Sequence, residues 1–134
     1  MRLYSIEEAR EILPRVIPVL EQIRSAFVEL RALQAATSAS SRGASGDGHL
    51  LEDPWEGEGG TDRARELDRQ LRRGAGRLQQ WGIELKDPEK GLIDFYHERE
   101  GQIVFLCYML GEPDLAWWHD LQSGFAGRQP LPGS

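Results

Sequence analysis

The hydrophobic period of this chain changes once, at Gly82-Ile83, and that change constrains the fold more than any other feature. Before it, apolar residues recur every three or four positions, the spacing of one face of a helix. After it, they alternate or run continuously, as they do along strands. The sequence therefore predicts an α+β fold: a long helical hairpin over residues 5–82 followed by a β-rich segment over 83–119. With 134 residues the chain is the size of one domain, read here as a single domain spanning 1–134.

The helical half has readable boundaries. Ser5-Ile6-Glu7-Glu8 is a capping box, in which the Ser5 hydroxyl and the Glu8 carboxylate each satisfy the other's backbone N–H. Pro14 and Pro18 each remove a helical donor and crowd the preceding turn, so a kink or stop is predicted at Leu13, or a new helix starting at Pro14. Val16, Leu20, Ile23, Phe27 and Leu30, widened by Leu13 and Ile17, form an apolar seam that fades near Ala36. Residues 37–60 are glycine-, serine- and acid-rich, the composition of a flexible loop. Thr61 or Asp62 caps a second helix whose seam is Ala64, Leu67, Leu71, Ala75, Leu78 and Trp81 and which ends at Gly82. Two seamed helices should pack antiparallel. Gly74 and Gly76 lie inside the second one, where two backbones approach closely or the helix is weak.

Beyond Gly82 the strands read as Ile83-Glu84-Leu85-Lys86, then Leu92 to Tyr96, a turn over 97–102, a central strand from Ile103 to Leu110, a turn at Gly111-Glu112-Pro113-Asp114, and Leu115 to His119 pairing back. The expected sheet is small and mainly antiparallel, with an irregular tail over 120–134. If Leu110 faces Leu115, then Leu106 lies opposite His119 and Cys107 opposite Trp118. Leu115, Trp117 and His119 then share the other face, and Asp94 lies about 10 Å from His119.

Charge and cysteine content exclude several classes. A net charge of −6 argues against nucleic acid as a partner. The arginines at 63, 65, 69, 72, 73 and 77 read as a solvated face paired with acids of the first helix. No apolar run reaches the ~20 residues of a membrane span, and the chain starts without a signal peptide. One cysteine, Cys107, excludes an internal disulfide and suits a reducing, cytoplasmic setting.

The opening Tyr4-Ser5-Ile6-Glu7-Glu8-Ala9 with Leu13-Pro14 resembles that of bacterial domain-of-unknown-function family 2203. The resemblance continues in Gly91-Leu92-Ile93-Asp94-Phe95, Cys107, Leu110-Gly111-Glu112-Pro113, Trp117-Trp118-His119-Asp120 and the stretch from Gly124 to Pro130. It covers nearly the whole chain except the loop at 37–60. It implies a stand-alone bacterial domain and supplies no catalytic roles.

Chemistry concentrates in residues 112–128. One candidate is a divalent metal site of His119, Asp120 and Asp94, since imidazole and carboxylate suit zinc, iron or manganese. The expected register opposes it, because His119 and Asp120 point to opposite faces and Asp94 is distant. A second is a pocket for an anion or small ligand, built from Glu112, Trp117, Trp118, His119, Asp120 and Arg128. The competing reading has Arg128 paired with Glu112 or Asp120, pinning the tail to the sheet. Cys107, inside a strand, reads as a small core residue. Of the adjacent indoles Trp117 and Trp118, one is expected in the core and the other against a helix, partner or ligand. Two functions follow: a non-enzymatic binding or assembly protein, homodimeric through its helices and aromatic segment, or a small metal- or anion-dependent enzyme or ligand-binding protein. Whether His119, Asp120, Glu112 and Arg128 line an open pocket or are buried in mutual bonds separates them.

Overall fold

In the computed structural model, which describes residues 1–43 and 60–132 with the side chains of 37–43, 60 and 61 left aside, two helices are followed by a five-stranded sheet. Helix α1 spans Ile6–Gly43 and α2 spans Gly60–Gln80. The strands are β1 Ile83–Asp87, β2 Leu92–Arg99, β3 Gln102–Met109, β4 Trp117–Asp120 and β5 Gln129–Pro130. They lie in the order β1-β2-β3-β4-β5, every neighbouring pair antiparallel, with β3 central. No helix among the described residues is long and apolar enough to cross a membrane.

The capping box forms as expected: Glu8 N–H donates to Ser5 Oγ at 3.0 Å and Ser5 N–H donates to Glu8 Oε1 at 2.9 Å. The stop predicted at Leu13 does not occur, since α1 continues through Pro14 and Pro18. Both prolines lie on the exposed side of the helix, so the carbonyls they leave unpaired face water, while Leu13, Val16 and Leu20 stay buried on the other side. The helix also continues past Ala36 to Gly43, which shortens the expected loop at one end. Residues 44–59 of that loop lie outside the described residues.

The helices pack antiparallel, as the Arg63–Glu29 ion pair near one end and the Tyr4 hydroxyl donating to Trp81 O at the other require. Arg63, Arg69 and Arg72 pair with Glu29, Glu66 and Asp68, and Arg77 lies over the Trp81 ring at 5.3 Å. Of the acids paired with the basic helix here, Glu29 alone belongs to α1, and Glu66 and Asp68 are its own.

Side chains alternate across the sheet. Ile83, Ile93, Phe95, Leu106 and Tyr108 face α1 and α2, forming a core with Tyr4, Leu13, Val16, Leu20, Ile23 and Leu78. The β2–β3 turn is tighter than the expected 97–102: Glu100 and Gly101 alone make it, both at positive φ (52° and 79°), which matches the twist of a two-residue hairpin. The expected irregular tail gains structure too. Phe125–Gly127 forms a 3₁₀ turn, and β5 pairs with β4 through Trp117↔Pro130 and Trp118↔Gln129.

The two interior glycines of α2 differ. A Cβ on Gly74 would come within 2.5 Å of Ile23 Cγ1, whereas one on Gly76 would meet nothing within 4 Å. The close approach expected at these glycines thus occurs at Gly74 alone, and Ala75, expected in the seam, is exposed. Gly76→Ala should therefore stabilise the protein by up to about 1 kcal/mol in urea unfolding. Gly74→Ala should destabilise it despite the same gain in helix propensity.

Candidate metal centre

The site is set by the register of β3 against β4. Phe105 pairs with His119, Leu106 with Trp118 and Cys107 with Trp117, one residue away from the expected alignment. Because the side-chain period along a strand is two, a slip of one residue moves every side chain of β4 to the other face. The cause lies between the strands. The link is longer than a four-residue turn: β3 ends at Met109 and β4 begins at Trp117. Within it Glu112 Oε1 accepts from Met109 N–H at 2.7 Å, and Leu115, fully buried, is tied to α1 through Arg10, which donates to its carbonyl at 3.0 Å.

In this register His119 shares a face with Cys107, and β2 pairs Asp94 directly opposite Cys107. The small cysteine leaves room for the two larger side chains to meet over it. His119 Nε2 lies 3.1 Å from both Asp94 carboxylate oxygens, not the expected ~10 Å. One donor atom from each of Asp94, Cys107 and His119 lies within 4.8 Å of the other two. All three residues are at most 3% exposed, although they sit on the sheet face away from the helices. That face is covered by other side chains: Tyr96 packs on Phe105 at 4.8 Å, Lys86 reaches over Phe105 at 4.5 Å, and Arg128 lies over Trp117 at 5.1 Å.

Hydrogen bonding fixes the imidazole. His119 Nδ1 is 2.7 Å from the carbonyl oxygen of Asp120, which can only accept, so Nδ1 carries a proton. In a neutral ring Nε2 then presents its lone pair to a carboxylate, and two lone-pair-bearing groups at 3.1 Å repel. Either a proton or a metal cation must lie between them. Burial pushes the Asp94 carboxyl up from its usual range, opposed by His119, Cys107 and Lys86. Burial, reinforced by the Asp94 charge, pushes the Cys107 thiol up to about 12. A thiol this weakly acidic and this buried is no nucleophile at neutral pH. Its sulfur instead stands where a soft donor completes a carboxylate–imidazole pair.

The other expected site residues go elsewhere. Asp120 is exposed and caps the following turn, its Oδ1 accepting from the N–H groups of Gln122 (2.9 Å) and Ser123 (2.7 Å), which hold its pKa below the usual aspartate range. It thus contributes its carbonyl, not its carboxylate. Arg128 NH2 donates to Glu112 Oε1 at 2.6 Å and to Cys107 O at 3.3 Å, pinning the tail to the sheet. Trp118 packs against the helix-side core under Arg99, and Trp117 stacks with Arg128, so each indole has an arginine partner. His119, Asp120, Glu112 and Arg128 therefore do not converge on one pocket. Cys107, read from the sequence as core alone, joins the cluster; only the register could have shown this.

The fold and site define a small α+β domain with a buried Asp–Cys–His cluster on the outer face of an antiparallel sheet. The chain belongs to the family described as uncharacterized conserved protein (DUF2203), matching it over residues 2–131. No curated protein and no solved structure shows a significant match.

Removing the imidazole leaves a buried carboxylate without its partner. His119→Ala should lower stability by about 3 kcal/mol in urea unfolding. The Asp120 turn should respond to acid. Its contribution is complete above the ordinary aspartate pKa and is lost as pH falls through the lowered native value. The amide NMR shifts of Gln122 and Ser123 should report that midpoint, and Asp120→Ala should abolish it.

Proposed function

We propose that this protein binds a single transition-metal ion, zinc or ferrous iron, through an Asp94 carboxylate oxygen, Cys107 Sγ and His119 Nε2. The observation that carries this reading is the imidazole whose Nδ1 is committed to a backbone carbonyl while its Nε2 faces a buried carboxylate. A backbone acceptor on Nδ1 is the usual outer-shell device that prepares Nε2 for a metal.

The spacing of the imidazole and the carboxylate fits such an ion, and Cys107 Sγ, within 4.8 Å of both, would move in to complete the set. Around a tetrahedral centre with bonds of about 2.0–2.3 Å, neighbouring donors are roughly 3.3–3.6 Å apart. The imidazole and carboxylate already stand at 3.1 Å. Thiolate with imidazole favours zinc or ferrous iron over calcium or magnesium. The ion would also resolve the chemistry of Cys107, since coordination deprotonates a thiol that is otherwise held at about 12.

The burial of all three donors favours holding the ion over turning a substrate over at it. This supports the binding-protein reading over the enzyme reading, and the lone thiol suits a reducing cytoplasm. Glu112 and Arg128, bonded to each other and to the backbone of β3, favour a structural part over an anion pocket.

Chelator-stripped protein titrated with zinc, and separately with cobalt(II), should bind one equivalent of either. Cobalt should produce a thiolate-to-metal charge-transfer band that disappears in Cys107→Ser. His119→Ala and Asp94→Asn should lose the metal while far-UV circular dichroism reports whether each remains folded. Folded wild-type protein that retains no zinc, cobalt or ferrous iron would show that a proton, not a metal, joins His119 to Asp94.

A further inference from the structure

The ladder beside Cys107 is unfinished. β4 pairs with β3 only from Val104 to Cys107, leaving the β3 backbone groups beyond that point on the β4 side without a strand partner. Two side chains take the strand's place. Glu112 Oε1 accepts from Met109 N–H at 2.7 Å, and Arg128 NH2 donates to Cys107 O at 3.3 Å while bonding the same Glu112 oxygen at 2.6 Å. The Arg128 and Glu112 side chains are only 10% and 17% exposed. The guanidinium lies between the rings of Trp117 (5.1 Å) and Phe125 (4.6 Å), and Trp117 is the cross-strand neighbour of Cys107.

This arrangement closes the outer face over the sulfur. The inner face of the sheet is sealed by the helical core, and of the side chains that cover the outer face, Trp117 is the cross-strand neighbour of Cys107 and Arg128 bonds its carbonyl. The segment carrying Arg128 is anchored in the core by Leu131, and between that anchor and β4 its hold is lighter. Beyond the ion pair, its backbone attachments are the two-residue β5 pairing and the Leu131 N–H bond to Ala116 O at 2.9 Å. Phe125 and Leu121 are about half exposed, at 45% and 50%. Arg128 Nε is buried without a hydrogen-bond partner, so opening returns a donor to water and lowers the cost of the open state. Segments with few buried contacts open locally, well below the free energy of global unfolding.

We infer that the Glu112–Arg128 ion pair is the gate of the Asp94–Cys107–His119 cluster: Cys107 becomes reachable, by reagent or by metal, when this pair releases the tail. The metal arm rests on the metal-binding reading; the thiol arm does not.

The test compares wild type, Arg128→Met, Glu112→Gln and the double variant with a control, Leu20→Ala, which loosens the opposite side of the core. First, Cys107 is labelled with an aromatic disulfide reagent under native conditions, with global stability measured in urea. Arg128→Met and Glu112→Gln should each label at least tenfold faster than the stability of each variant relative to the control accounts for, and the double variant should gain little more. Removing the Arg128 charge makes the thiol a weaker acid, which by itself slows labelling, so acceleration in Arg128→Met reports access; removing the Glu112 charge acts the other way, so Glu112→Gln supports the gate only together with Arg128→Met. Labelling that merely tracks urea stability across all variants overturns the gate. Second, zinc-loaded protein is mixed with excess chelator, and release should accelerate by a similar factor in the gate variants. Unchanged release with accelerated labelling would overturn the gate for metal exchange. If wild type takes up no zinc, the metal reading fails by itself, and the labelling comparison still decides the gate.

Discussion

A carboxylate buried against an imidazole is the constraint around which the sheet is organised. Asp94, 1% exposed, sits on β2 with no water to solvate it, and an isolated charge there would cost several kcal/mol. His119 from β4 offsets that cost, and the two meet across β3 only because the residue between them is as small as Cys107. Each strand of the inner sheet thus supplies one donor atom, and the alignment of all three strands is tied to this one contact. A slip on either side would leave a charged or polar side chain buried without a partner.

The two faces of the sheet are held together by different physics. The helix-side face is an apolar core drawn from both helices and the strands, stabilised by area removed from water. The outer face has no helix over it among the described residues, and its centre is polar. Aromatic rings and the stems and heads of Lys86 and Arg128 exclude water there, which strengthens the electrostatics inside. Polar centre and amphipathic cover belong together: without the cover the Asp94–His119 contact would weaken toward that of an exposed pair.

Much of the fold was legible because it depends on local rules. The capping box, the two helical seams apart from Ala75, the stop of α2 just before Gly82 and a central β3 apolar on both faces all follow from periodicity and turn chemistry, and appear in the structure. Pro14 and Pro18 misled because the penalty of an internal proline is smaller on the solvent side of a helix, where water can take up the freed carbonyl, and both lie on that side. The tail misled because β5 is held by tertiary partners, Leu131 in the core and Arg128 on Glu112, more than by strand propensity. The alignment of β4 misled because the link was expected to be a four-residue turn with pairing up to Leu110 and Leu115, whereas Glu112 and Leu115 are bound to β3 and α1 and the ladder stops at Cys107 and Trp117.

The sequence by itself determined the kinds of element, their order and the inventory of reactive groups, since period, capping and composition act over a few residues. It contained Asp94, Cys107 and His119 but could not bring them together. Their meeting depends on the parity of a strand alignment, and that parity is set by contacts far apart in the chain, such as Arg10 with the Leu115 carbonyl. Only the tertiary structure decided which face each strand presented, and with it whether three separate side chains became one site.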